Sequence, residues 1–116
     1  MAQAPAKRND AYTNSVDALH ALLSGLPAHP PITLGRMFNG DGVKVRNTFF
    51  AFIGQNGDLV AKLPEDRVRE LVTHQTGQAV RMGKRTMREW ARVPAEAGVG
   101  TWSEVLGEAH RFVLNG

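Results

Sequence analysis

Residues 49–63 leave the chain little choice about its centre. Phe49-Phe50-Ala51-Phe52-Ile53 is aromatic and apolar enough for an interior strand. Asn56-Gly57 is the strongest short-range hairpin signal in the chain, because both residues accept the left-handed backbone of a tight β-turn. Leu59-Val60-Ala61-Lys62-Leu63 then has the composition to return beside the first strand. An antiparallel sheet is therefore the frame that the other segments must join.

Upstream, Val43 and Val45 alternate with Lys44 and Arg46, the pattern of a half-buried strand. Asn39-Gly40-Asp41-Gly42 reads as a turn, and Ile32-Thr33-Leu34 as a weakly defined first strand. Tyr12, Val16, Leu19, Leu23 and Leu26 recur at steps of three or four. That stripe predicts a helix capped by Asn9 or Asp10 and ended by Gly25 and Pro27. Residues 1–8 read as a mobile tail before a single domain spanning 9–116.

Downstream, Pro64-Glu65-Asp66 opens a second helix, with the two acids at the positive end of its dipole. Val68, Leu71 and Val72 form its buried side, and Gly77 its stop. Gln78–Met82 and Thr86–Val93 read as a second hairpin around Gly83-Lys84-Arg85. Strict alternation puts Met87, Ala91 and Val93 on one face and Arg88, Trp90 and Arg92 on the other. Thr101 and Glu104 have capping-box spacing, and Trp102, Val105, Leu106, Ala109 and Val113 form the stripe of a last helix. The order is α-β-β-β-α-β-β-α, an α+β chain predicted to form a two-layer α/β sandwich with one face of an antiparallel sheet under helices. Phe49–Ile53 is apolar at every position, more than a one-sided strand needs, so a second chain or an overlying segment is expected on the other face.

Composition narrows the function classes. A length of 116 residues is that of one domain, and 42% hydrophobic content supports a modest core. The chain has no cysteine, which removes disulfides, thiolate nucleophiles and Cys-based zinc sites and fits a cytoplasmic setting. No stretch is apolar enough to span a membrane, and the residues after Lys7-Arg8 are too polar for a secretory signal. A net charge of +3 permits an anionic partner without requiring one.

Motifs for chemistry are sparse. His20, His29, His74 and His110 lack metal-ligand spacing, so no metal or cofactor is expected. Ser15, Ser24 and Ser103 sit in no nucleophile elbow. Asp41 is explained by the turn, Glu65 and Asp66 by the helix dipole, and the glycines of 35–42 lack phosphate-loop spacing. A catalytic role is not expected. One feature rises above this background. Arg81, Lys84, Arg85, Arg88 and Arg92 crowd the second hairpin, with Trp90 in register with Arg88 and Arg92. Cations around an exposed aromatic are what single-stranded nucleic-acid recognition uses. The competing reading is a solvated sheet face on which arginine stems cover the ring.

Several short motifs in a fixed order also carry a resemblance. Met37-Phe38-Asn39-Gly40 is similar to the Met-Phe-Gly-Gly signature of the TfoX N-terminal domain family. The aromatic hairpin from Phe49 to Lys62 leads through Leu63-Pro64 into an acidic helix start, as in that family. Met87-Arg88-Glu89-Trp90, Val93-Pro94 and a closing helix with Trp102 follow in order. The resemblance covers residues 10 to 115 and implies a fold like that of the type III secretion chaperones. Asn39 stands where the family has its first Gly, and Asn tolerates the left-handed backbone. Well-known relatives regulate bacterial DNA-uptake competence and carry a second, C-terminal domain. The sequence ends where that domain would start, so the competence role is not expected to carry over. The family implies no catalytic residues. The expected function is a regulatory, protein-interaction module acting on a protein partner or on itself. The alternative is a nucleic-acid-binding accessory protein using hairpin 81–92.

Overall fold

The computed structural model describes residues 4–116, with side chains from residue 10 onward. The chain runs α1 (Ala4–Leu23), β1 (Ile32–Met37), β2 (Gly40–Val45), β3 (Thr48–Ile53), β4 (Leu59–Lys62), α2 (Glu65–Thr73), β5 (Gln78–Met82), β6 (Arg85–Val93), a 3-10 turn (Ala95–Ala97) and α3 (Val99–Asn115). The six strands form one antiparallel sheet in the order β1-β2-β3-β4-β6-β5, and the fold is the expected α+β layout. Ile32–Leu34, faint in the sequence, opens a full six-residue strand, so four strands precede α2. Helix α1 begins at Ala4, ahead of the Asn9 or Asp10 cap. The expected tail thus overlaps the helix, and its first three residues lie outside the described residues.

Left-handed residues set the register. Met37 pairs with Gly40 across Phe38 (φ 53°) and Asn39 (φ 64°), and Val45 pairs with Thr48 across Arg46 (φ 51°) and Asn47 (φ 64°). Both are two-residue hairpins of the I′ type, whose twist matches that of the strands. The turn expected at 39–42 therefore sits one step earlier, and Gly40-Asp41-Gly42 is strand. Gly40 has a packing reason: a Cβ there would overlap the Ile53 carbonyl oxygen. The 56–57 hairpin forms as expected but with a longer loop, in which the Gly54 N–H donates to the Asp58 carbonyl at 2.9 Å and Gly57 takes φ 87°.

Helices α1, α2 and α3 cover one face. Their Val16, Leu19, Leu71, Trp102, Val105 and Leu106 pack with Val43, Val45, Ile53, Leu59, Ala61 and Val93 of the sheet. Two polar pins hold α1. Ser15 Oγ donates to the Gly57 carbonyl at 2.6 Å, and Tyr12 OH donates to Asp41 Oδ1 at 3.0 Å while accepting the Asp41 N–H at 2.7 Å. Arg67 of α2 grips α3 with a guanidinium fork, Nε to Glu108 Oε1 at 2.7 Å and Nη2 to Oε2 at 3.2 Å.

Three expectations about helix ends and faces are corrected. Helix α2 stops in a Schellman arrangement whose left-handed residue is Gln75 (φ 61°), not Gly77; the Thr76 N–H donates to Leu71 O and the Gln75 N–H to Val72 O. Val72 lies outside the buried side of α2 and is 40% exposed. Helix α3 starts at Val99 after Gly98 with no side-chain cap, so Thr101 and Glu104 lie inside the helix and form no capping box. The Ala95–Ala97 turn advances the helix start, and Trp102 Nε1–H donates to the Pro94 carbonyl at 3.0 Å.

Candidate functional site

The face of the sheet without helices has its own apolar cluster. Period-two alternation turns Phe52 of β3, Val60 of β4, Val80 of β5 and Trp90 of β6 to this side, where Met37, Phe49 and Met87 pack around them. Ring centroids of Phe52 and Trp90 are 5.7 Å apart, and Phe38 joins at 5.6 Å from Phe52. Phe52 and Trp90 are 7% and 8% exposed, so this chain buries them unaided. The apolar run in β3 needs no second chain for a further reason. The β2–β3 register slips between Val43 and Lys44, pairing Val43 with Ala51 and Lys44 with Phe49. Phe50 is the extra residue of this bulge and joins Ala51 in the helix-side core.

Phe49 covers a floor made of glycine. A Cβ on Gly42 would come within 2.8 Å of its ring, and one on Gly35 within 3.0 Å. The absent side chains let the ring lie down on β1 and β2, with Lys44 Nζ 5.5 Å from its centroid. Lys62 Nζ stands likewise 5.5 Å from the Trp90 ring. Cations border the cluster at the in-register positions Lys44, Lys62, Arg85 and Arg92. Acidic residues at this face are already engaged: Glu89 pairs with Lys62 at 3.6 Å and Asp58 with Arg92 at 3.7 Å.

The residues predicted as an anion-binding surface divide. Trp90 is buried in the cluster, and Arg92 is bound to Asp58, so neither belongs to an open cationic patch. Arg81, Lys84, Arg85 and Arg88 are exposed and make no salt bridge among the described residues. They do not share one face. Arg81 pairs with Thr86 and Arg85 with Met82, adjacent register positions that point to opposite sides. Strict alternation in β6 also fails: Ala79 pairs with Ala91 but Val80 with Met87, so residues 88–90 form an irregular step. Met87 is thereby turned to the open face beside Trp90, opposite to Ala91 and Val93.

An open cleft of about 760 Å³ lies along that step, lined by Lys62, Glu65, Arg85, Met87, Arg88 and Trp90. A smaller groove of about 390 Å³ runs between α2 and the same hairpin, past Val68, Val72 and Ala79. No serine or histidine is hydrogen-bonded to a carboxylate among the described residues. Ser15 spends its proton on Gly57, and Ser24 donates to Ala21 O at 2.9 Å. Asp41, in strand rather than turn, serves Tyr12 and also Arg36 at 3.3 Å. Burial pushes the Tyr12 phenol above its ordinary range, partly offset by the hydrogen bond from the Asp41 backbone. Glu65 and Asp66 both pair with Arg69.

The histidines stay apart. His20, His29 and His74 are exposed, while His110 is 1% exposed with Nε2 unpartnered and its ring edge-on to Phe50 at 5.3 Å. Burial, reinforced by Arg111, lowers its pKa below the ordinary histidine value. No group of three or more histidine, aspartate or glutamate residues is placed to hold a metal ion among the described residues, and no described helix is long and apolar enough to cross a membrane. Sequence reasoning missed the Phe38–Phe52–Trp90 cluster as a unit, although the alternation of Val60 with Lys62's neighbours and of Trp90 with Ala91 was its signal. Compared with models of known families and with curated proteins, the chain finds no match in either.

Proposed function

We propose that the protein is a non-catalytic regulatory module that binds a protein partner through the helix-free face of its sheet. Phe38 carries the reading. It occupies the left-handed region at φ 53°, which disfavours a bulky L-residue by roughly 1–2 kcal/mol, and the residue is 51% exposed. The tilted pair with Phe52 at 5.6 Å offsets about 0.5–1.5 kcal/mol of that cost but leaves half of the residue open, and backbone cost of this kind concentrates at functional positions. Across the same face, Met37, Phe49 and Met87, with exposed Met82 at the far edge, supply the aromatic and thioether surface that protein interfaces favour. Kinship with the TfoX N-terminal domain family and a cytoplasmic setting belong to the same proposal, supported by the ordered motifs and the absence of cysteine.

Placing a photo-crosslinking phenylalanine at position 38, and separately at exposed Val99 on the helical side, tests it in the native cell. One discrete adduct from position 38 and none from position 99 is expected. Adducts from position 99 alone would move the interface to the helices and refute the reading. The nucleic-acid reading keeps one observation, the four exposed cations of the second hairpin, but loses its stacking ring to burial. Only weak, sequence-independent binding at low salt, lost near physiological ionic strength, is expected; sub-micromolar, salt-resistant binding would put the nucleic-acid reading first.

A further inference from the structure

The cleft beside the irregular step of β6 is where the open face becomes selective. Its apolar lining is the half-buried Met87 and the buried Trp90. Its charges do not cancel. Lys62 and Glu89 neutralise each other at 3.6 Å, and Glu65 is turned to Arg69 at 3.2 Å. Arg85 and Arg88 remain, both exposed, neither in a salt bridge among the described residues. Two unopposed guanidiniums in one cleft with Met87 fit a carboxylate pair next to an apolar side chain. We infer that this cleft docks an acidic protein segment, its apolar residue on Met87 and Trp90 and its carboxylates on Arg85 and Arg88.

The cleft favours a peptide over a nucleic acid. A base needs an open ring face, and Trp90 is 8% exposed, with Phe52 and Lys62 against the ring. Methionine, unbranched and polarisable, adapts to side chains of varied shape. A second copy of the chain has few acids to offer, with Asp10, Asp17 and Glu96 exposed and outside any salt bridge among the described residues. The acidic residues of α2 and α3 at Glu65, Asp66, Glu70 and Glu108 are already held by Arg67 and Arg69. The inference rests on the reading of the open face as an interaction surface and adds the chemistry of what it takes.

Fluorescence anisotropy on the whole chain tests it with three labelled probes: a peptide alternating glutamate with leucine, the same peptide with glutamine for glutamate, and a single-stranded oligonucleotide. The glutamate peptide should bind, and more weakly as salt rises. The glutamine peptide should bind about tenfold more weakly or worse, given the strength of charge-assisted hydrogen bonds. R85E/R88E should remove the preference while leaving the melting temperature unchanged, because both side chains are exposed. Equal binding of the two peptides would overturn the charge assignment. Unchanged binding by R85E/R88E would overturn the location. Tighter binding of the oligonucleotide would hand the cleft to nucleic acid, and self-association abolished by R85E/R88E would hand it to a second copy. Absence of peptide binding at millimolar concentration refutes the inference. If position 38 still crosslinks a partner in that case, the interaction reading stands and only the cleft's ligand is wrong.

Discussion

Trp90→Ala separates a packed ring from a binding ring. A tryptophan side chain buries about 150–250 Å² of surface. At about 25 cal/mol per Å² the loss is roughly 4–6 kcal/mol. A compact denatured state takes back about 10–40% of that. The tilted pair with Phe52 at 5.7 Å adds about 0.5–1.5 kcal/mol, whereas the open face lets Met87 and Lys62 relax into the gap. The expected destabilisation is about 3 kcal/mol, the low end for a buried tryptophan. For a domain of this size that lowers the melting temperature by about 12 °C. Thermal unfolding by circular dichroism measures it, and Trp102, buried on the helix side, remains as a fluorescence reporter. Combining it with Phe52→Ala should give a coupling of about 0.5 kcal/mol or more, since the two rings share a cluster. A loss below about 1 kcal/mol, or strict additivity with Phe52→Ala, would show that the ring is not packed as described.

Three other perturbations probe separate parts of the chain. His110→Leu should raise stability at neutral pH by about 1 kcal/mol, because it replaces a buried, unpartnered Nε2 with apolar surface. The folded pKa of His110 is depressed, so the folded state binds fewer protons than the unfolded chain; stability is full above the unfolded value near 6.5 and is lost as pH falls below it, and denaturant titrations should show that part of the loss absent in the variant. Gly40→Ala should destabilise by about 2 kcal/mol or more, read as a lower urea midpoint, because its Cβ meets the Ile53 carbonyl rather than a movable side chain. Phe38→Asn should leave stability unchanged or raise it by up to about 1 kcal/mol, since Asn suits the left-handed turn position, while partner recovery from cell extract falls; a large destabilisation would assign Phe38 to the fold instead.

The sheet was legible where the chemistry is local. Asn56-Gly57 marks its own turn, and Val43/Val45 and Leu59–Leu63 carry their pairing in their alternation. The misread features depend on partners distant in sequence. Nothing in Arg88-Glu89-Trp90 announces that β5 will oppose only part of β6, yet that irregularity decides which way Met87 points. Likewise, the apolar run at Phe49–Ile53 suggested an external cover because sequence cannot show that a bulge sends Phe50 and Ala51 to the same side. The crowding of cations in the second hairpin was plain, but their division between two faces follows from register alone. Phe38 was visible as part of a motif; its positive φ and exposure, the reasons to single it out, are tertiary facts.

The way the helices are fastened gives the molecule unequal seams. Helices α2 and α3 are riveted together by Arg67 and Glu108, so neither leaves the sheet without breaking a bidentate ion pair. Helix α1 has no such rivet to another helix among the described residues and is held over the sheet by Val16, Leu19 and the two pins at Tyr12 and Ser15. Because Ser15 grips the tip of the β3–β4 hairpin and Tyr12 the start of β2, lifting α1 releases the hairpin tip and β2 together while leaving the α2–α3 side closed. An opening that lifts α1 alone is therefore a hinged one, freeing the contacts of Val16, Leu19, Tyr12 and Ser15 while the Arg67–Glu108 seam stays closed.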